Sequence, residues 1–203
     1  MSDHYRTLAA RCDVTQKIER SEFLGIAFPI VDEEQFFFDL HKIEKQYFDA
    51  THHCWAFRLR SAGDVRARSS DAGEPSGTAG RPILTAIEGA DLYDVAVVVV
   101  RWFGGVKLGT GGLSRAYRDT AAETLKNAQP LDRYLYTRFR VVAPFDALGT
   151  IYRLVNPPHV ILEQERFAET NEFDFLVRQS QAEQFEKALS ERRLTFAIVP
   201  PSS

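Results

Sequence analysis

The sequence predicts an α+β protein built as two domains, 1–130 and 131–203. Three observations carry this. Short β-rich apolar runs alternate with longer stretches whose apolar residues recur at helical spacing. Pro130 closes a helical stretch and opens a new set of elements. Beyond it the segments read β-α-β-β-α-β over about 70 residues, the order of a ferredoxin-like domain.

Taken in order, the run 23–31 (FLGIAFPIV) reads as a strand with Pro29 near its end. Asp32 is placed to cap the next helix, with Gln35 three residues on, as in a capping box. Over 33–47 that helix sets Phe36, Phe37, Leu40, Ile43 and Tyr47 along one face. The runs 52–60 and 65–69 are strands, joined by a Ser-Ala-Gly-Asp turn at 61–64. Residues 71–80 are loop by composition, and 82–90 a short helix. The run 95–103 is apolar throughout, as expected of a strand covered on both faces. A helix over 113–128 ends before Pro130. In the second domain strands are expected at 134–142, 159–167, 173–178 and 195–199. Helices are expected at 146–154, stopped by Asn156, Pro157 and Pro158, and at 181–192.

A net charge of −3 argues against bulk electrostatic binding to nucleic acid or membrane, so such binding needs a local patch. One exists: residues 51–118 hold nine Arg and Lys against six Asp and Glu. The two cysteines, Cys12 and Cys54, lack metal-type spacing and fit a reducing compartment better than a disulfide framework. A polar N-terminus and the lack of any 18-residue apolar run lead us to expect neither a signal peptide nor a membrane span, and a cytoplasmic location.

Three segments carry candidate chemistry. In the strand 52–60, His53, Trp55, Phe57 and Leu59 alternate with His52, Cys54, Ala56, Arg58 and Arg60. The first set is core. The second is an odd choice for a solvated face and reads as the polar wall of a groove. The plainer alternative is that His52 bonds a neighbouring loop while Cys54 is an inert buried thiol. A metal on His52 and Cys54 would need two further ligands that the sequence does not nominate, so no metal and no cofactor are expected. In the second segment, 69–81, Asp71 and Glu74 are candidate general bases or cation ligands, and Ser76 and Thr78 candidate donors to an anion.

The third segment runs from Arg101 to Arg118. Gly104, Gly105, Gly109, Thr110, Gly111 and Gly112 lie between an apolar strand and a helix, with Lys107, Arg115 and Arg118 alongside. Glycines that admit close approach, a helix N-terminus and fixed cations together suit an anion. Neither strict nucleotide fingerprint is met: Thr110 stands where a phosphate loop needs lysine, and Ser114 where the dinucleotide motif needs its third glycine. Tight strand-to-helix packing is the alternative reason for the glycines.

Together these strings resemble the IMPACT family, in its bacterial, YigZ-type branch. The matching residues are Ala50, Thr51, His52, His53 and Cys54; SDAGEPSGTAG over 70–80 with Pro82, Ile83 and Leu84; and VVRWFGGVKLGTGGLSRAY over 99–117. Ser21 and Phe23 match the Ser-x-Phe near the family's N-terminus. Ala72 stands where the family usually has a second aspartate, which weakens any metal role for that loop, and Glu22 stands where a basic residue is common. The resemblance implies a first domain with the fold of ribosomal protein S5 domain 2 and a second similar to the last domain of elongation factor G. It also implies a link to translation, since eukaryotic members regulate initiation by competing for a ribosome-associated activator of a stress kinase.

The leading expectation is a cytoplasmic, non-enzymatic regulator of translation that binds RNA, the ribosome or a ribosome-associated protein through the basic glycine-rich surface, with no membrane contact. Two alternatives stay open. One is a phosphate- or nucleotide-binding enzyme using the same groove, with Asp71 or Glu74 holding magnesium. The other is a protein-interaction module whose strings only shape a docking surface.

Overall fold

The computed structural model describes residues 3–61, 64–168 and 170–200. In chain order the first elements are β1 (His4–Leu8), β2 (Cys12–Ile18), β3 (Ser21–Pro29), α1 (Glu33–Gln46), β4 (His52–Ser61) and β5 (Asp64–Ser70). Next come α2 (Gly80–Gly89), β6 (Val95–Trp102), α3 (Gly109–Asn127) and β7 (Pro130–Tyr134). The last are β8 (Tyr136–Ala143), α4 (Leu148–Tyr152), β9 (Val160–Arg166), β10 (Asn171–Arg178), α5 (Ala182–Glu191) and β11 (Thr195–Val199). Internal contacts divide the chain into one unit of 6–132 and another of 1–5 with 133–203. β1 pairs with β7 in a two-stranded sheet.

In the 6–132 unit an antiparallel sheet runs β2-β3-β6-β4-β5. β6 takes the centre because its run of valines is the stretch able to face apolar neighbours on both sides, and Val97 to Val100 are fully buried. Phe36, Leu40 and Ile43 of α1 cover one face against Ile26, Phe28, Val98 and Val100. On the other face Ile83 and Ile87 of α2, with Leu113, Tyr117 and Ala121 of α3, meet Phe23, Cys54, Val97 and Val99. Asp32 caps α1 by accepting from the Gln35 amide at 2.7 Å, and the Gln35 side chain accepts in turn from the Val31 amide at 2.9 Å.

In the second unit the sheet runs β11-β8-β10-β9, all antiparallel. With the order β8, α4, β9, β10, α5, β11, this is the ferredoxin-like arrangement. Phe139, Phe173 and Phe175 pack with Ile151 of α4 and with Phe185 and Leu189 of α5. Polar residues of these strands form ion pairs: Arg138 with Glu163 at 2.6 Å, and Asp174 with Arg140 at 2.8 Å and Arg166 at 2.7 Å. Hydrogen bonds from Arg140, against the opposing effect of burial and with help from Arg166, hold the Asp174 carboxyl down at about 2.

Several elements differ from expectation. β2 sets Asp13, Thr15 and Lys17 outward, too polar a run to declare itself as a strand, and β1 and β7 are five residues each. α3 begins at Gly109 rather than residue 113, so Gly109, Thr110, Gly111 and Gly112 form its first turn. Glycine is a poor helix former, which hides this start from a propensity reading. α4 shrinks to five residues behind a 3-10 turn at Phe145–Ala147. Residues 62 and 63 of the expected 61–64 turn lie outside the described residues.

Candidate functional site

The three candidate segments separate into an interior cluster and a surface groove. The interior cluster centres on Glu74. Its Oε1 accepts from an Arg101 guanidinium N–H at 2.5 Å and from the Tyr117 hydroxyl at 2.8 Å, while His52 Nε2 lies 3.9 Å away. The Glu74 and Arg101 side chains are only 4% and 5% exposed, so this pair is shielded from water. Arg101 also reaches the Ser21 hydroxyl at 3.3 Å, and that hydroxyl accepts from the Gly104 amide at 3.3 Å. Each member comes from a different element: Ser21 from β3, His52 from β4, Glu74 from the 71–79 loop, Arg101 from β6 and Tyr117 from α3.

Asp71 builds the loop itself. Its Oδ1 accepts from the Ala79 and Gly80 amides at 2.9 and 2.8 Å, and its Oδ2 from the Gly77 amide at 2.8 Å. Burial pushes this carboxyl up, but the three N–H donors outweigh it and hold it below the ordinary carboxylate range. α2 therefore starts with its own anion in place. The Thr78 hydroxyl donates to the Pro75 carbonyl at 2.6 Å, and Ser76 is exposed.

The second face of β4 is not a groove wall. Cys54 and Ala56 are fully buried in the core beneath α2. Cys54 donates to the Asp71 carbonyl at 2.9 Å, and burial, only partly offset by the Tyr117 hydroxyl, pushes its thiol up to about 12. A thiol so placed is no nucleophile at neutral pH. Burial also raises the Tyr117 phenol well above its ordinary value, with Cys54 and Glu74 adding to the effect. His52 Nδ1 pairs with the Ala72 carbonyl at 2.9 Å, the loop bond that was the plainer reading. Arg58 stands away from this cluster: its guanidinium lies 3.8 Å over the Tyr93 ring and donates to the Tyr93 hydroxyl at 3.0 Å. Among the described residues no three His, Cys, Asp or Glu side chains converge as metal ligands.

The groove is a cavity of about 380 Å³ between α2 and α3. Arg81 of α2 and Arg115 and Arg118 of α3 line it, with Gly77, Gly111 and Ser114. Arg81 faces Glu88 at 3.7 Å and Arg118 faces Asp119 at 3.0 Å, both at exposed positions, while Arg115 pairs with no carboxylate among the described residues. Neither helix has an acidic residue in its first turn, but the Asp71 carboxylate caps the start of α2, whereas no side chain caps α3.

The glycines divide accordingly. A methyl group on Gly104 would overlap the Arg20 carbonyl, so that glycine serves packing. Gly105 and Gly109 take positive φ, +86° and +70°. Gly111 has neither reason, since a Cβ there meets nothing within 4 Å. Gly112 lies against Leu108, and Lys107 and Thr110 are exposed. The sequence reading missed Arg81, which the Asp71 turn swings into the groove, and Tyr117, whose hydroxyl reaches Glu74. No spacing rule links positions 81 and 115. Among the described residues no helix is long and apolar enough to cross a membrane.

The family model of the Impact N-terminal domain matches residues 19–125. The chain is 33% identical over 174 residues to the IMPACT family member YvyE of Bacillus subtilis, covering 86% of this chain and 80% of the relative. It is 46% identical over 151 residues to an IMPACT family member of Thermus thermophilus, covering 72% and 78%. A crystal structure of a hypothetical protein superposes with a TM-score of 0.71 over 100% of both chains at 24% identity, which shows a shared fold.

Proposed function

This chain belongs to the IMPACT family, and from that premise we propose that it is a cytoplasmic, non-enzymatic regulator of translation that holds ribosome-associated RNA by its phosphates. The site of this reading is the α2–α3 groove in the first domain, 1–130. Arg115, Arg118, Lys107 and the turn of Gly109, Thr110, Gly111 and Gly112 are its contacts, joined by Arg81. The carrying observation is the contrast between the two helix starts. The Asp71 carboxylate already occupies the start of α2, whereas the start of α3 has no capping side chain and the cavity beside it is lined by Arg81, Arg115 and Arg118. Contacts of this kind position a backbone without reading bases.

The interior cluster supports the non-enzymatic part. Asp71 is spent on three amides, Glu74 on Arg101 and Tyr117, and the Cys54 thiol is protonated and buried. Family membership supports the link to translation, through the role of the eukaryotic members.

The test is binding of labelled RNA to the full chain as salt is varied. Four phosphate contacts on a single strand predict a roughly 50-fold loss of affinity between about 50 and 200 mM salt, and Arg115→Ala should lower the slope by about 0.7. Absence of RNA binding at about 50 mM salt overturns the RNA reading. Specific thermal stabilisation by a nucleotide with magnesium would assign the same groove to a phosphometabolite enzyme instead.

A further inference from the structure

We propose, resting on the RNA reading above, that the ligand is single-stranded, and that Phe103 and Phe48 stack its unpaired bases while the groove holds its phosphates. The loop between β6 and α3 leads directly into the groove and displays Phe103 47% exposed and Val106 37% exposed. Phe48, in the turn between α1 and β4, is 84% exposed.

These rings sit on a fixed platform. The Phe103 amide donates to the Thr51 hydroxyl at 3.1 Å, the Thr51 amide to the Arg101 carbonyl at 2.8 Å, and the Trp102 indole to the Asp49 carboxylate at 3.1 Å. The two turns are thereby stitched together. Gly104 jams the loop against the Arg20 backbone, and the Arg101 guanidinium lies 5.5 Å from the Phe103 ring centroid, backing it with a cation. Arg20, whose backbone Gly104 abuts, and Lys107, in the same loop as Phe103, engage no carboxylate among the described residues.

Charge complementarity chooses the occupant. An apolar protein surface would satisfy the phenylalanines but leave Arg20 and Lys107 unused, whereas a nucleic acid strand offers a π-face to one set and phosphates to the other. A duplex is excluded because its bases are already stacked on each other and present no free face.

The test uses the full chain, a labelled oligouridine of about 12 nucleotides, and a duplex of equal length. The single strand should bind at least about tenfold more tightly, and Phe103→Ala should weaken it about 5- to 100-fold while leaving duplex binding unchanged. Phe103→Tyr, which keeps the stacking face, should bind as the native chain does. Ultraviolet crosslinking of the oligouridine should map to Phe103 or Phe48. Equal affinity for duplex and single strand overturns the proposal, as does a Phe103→Ala variant that binds normally while Arg115→Ala weakens. In that last case the phosphate groove stands and the stacking fails. If neither RNA binds, the groove reading itself has failed.

Discussion

Exchange of Glu74 for glutamine keeps the shape of the side chain and removes its charge, leaving the Arg101 guanidinium buried opposite a neutral amide. The two side chains are 4% and 5% exposed, so little water reaches the orphaned cation. Removing one partner of such a pair costs about 3–5 kcal/mol. The amide oxygen still accepts from Tyr117, retaining roughly 1 kcal/mol that alanine also loses. Arg101 Nε, which is buried and already lacks an acceptor, adds to the loss. Urea unfolding followed by tryptophan fluorescence isolates the effect, because both tryptophans, Trp55 and Trp102, lie in the 6–132 unit. Glu74→Gln should lower the midpoint without changing the slope, and Glu74→Ala should lower it further. The double variant Glu74→Gln/Arg101→Met should recover much of the loss, since removing both charges leaves no unpaired ion. A loss below about 1 kcal/mol for Glu74→Gln, as for an exposed ion pair, would show that water reaches the Arg101–Glu74 pair. So would a double variant that loses the simple sum of the two.

Three further outcomes are expected. Gly111→Ala should stabilise α3 by about 0.5–1 kcal/mol and yet weaken RNA binding, whereas Gly104→Ala should destabilise by about 3 kcal/mol or more through its overlap with Arg20. If Gly111→Ala binds RNA normally, the glycine is not there for a ligand. The Asp174 carboxyl sits at about 2 against an ordinary 3.8, so its stabilisation of roughly 2 kcal/mol is present above 3.8 and lost as pH falls toward 2. The stability gap between the native chain and Asp174→Asn, read by amide exchange in β10, should close over that range, and a pH-independent gap would contradict the ion-pair account. Maleimide at about pH 8 should label Cys12 but not Cys54 until urea is added, and native labelling of both would show the 54 thiol to be accessible.

The elements that were legible in the sequence are those whose apolar pattern is strong. The valines of β6, the Phe36–Leu40–Ile43 stripe of α1 with its Asp32 cap, and the β-α-β-β-α-β order of the second unit all stand as expected. β2 was hidden because an edge strand with one solvated face needs little apolar residue content. The start of α3 was hidden because four residues ending in two glycines carry no helical preference of their own. Packing of Leu113, Ala116 and Tyr117 imposes the helix on them. At the site, residue types were legible but allegiances were not. Asp71 and Glu74 look alike as loop carboxylates, yet one closes a turn of backbone amides and the other receives an arginine from across the sheet. Arg81, next to the Gly80 amide that Asp71 holds, lines the same cavity as Arg115, a proximity that no spacing in the sequence announces.

The 71–79 loop is fastened at two points of different range. Asp71 closes on amides six to nine residues away, a contact that forms as soon as the segment exists. Glu74 waits for Arg101, 27 residues on, and for Tyr117, 43 residues on. Contacts of that separation close longer loops and need β6 and α3 in place to supply their partners. The full set of fastenings of the loop therefore needs the chain up to residue 117. A shorter fragment would carry the whole loop sequence with its first fastening made and its second missing, and would hold Arg81 without fixing the surface it shares with α3.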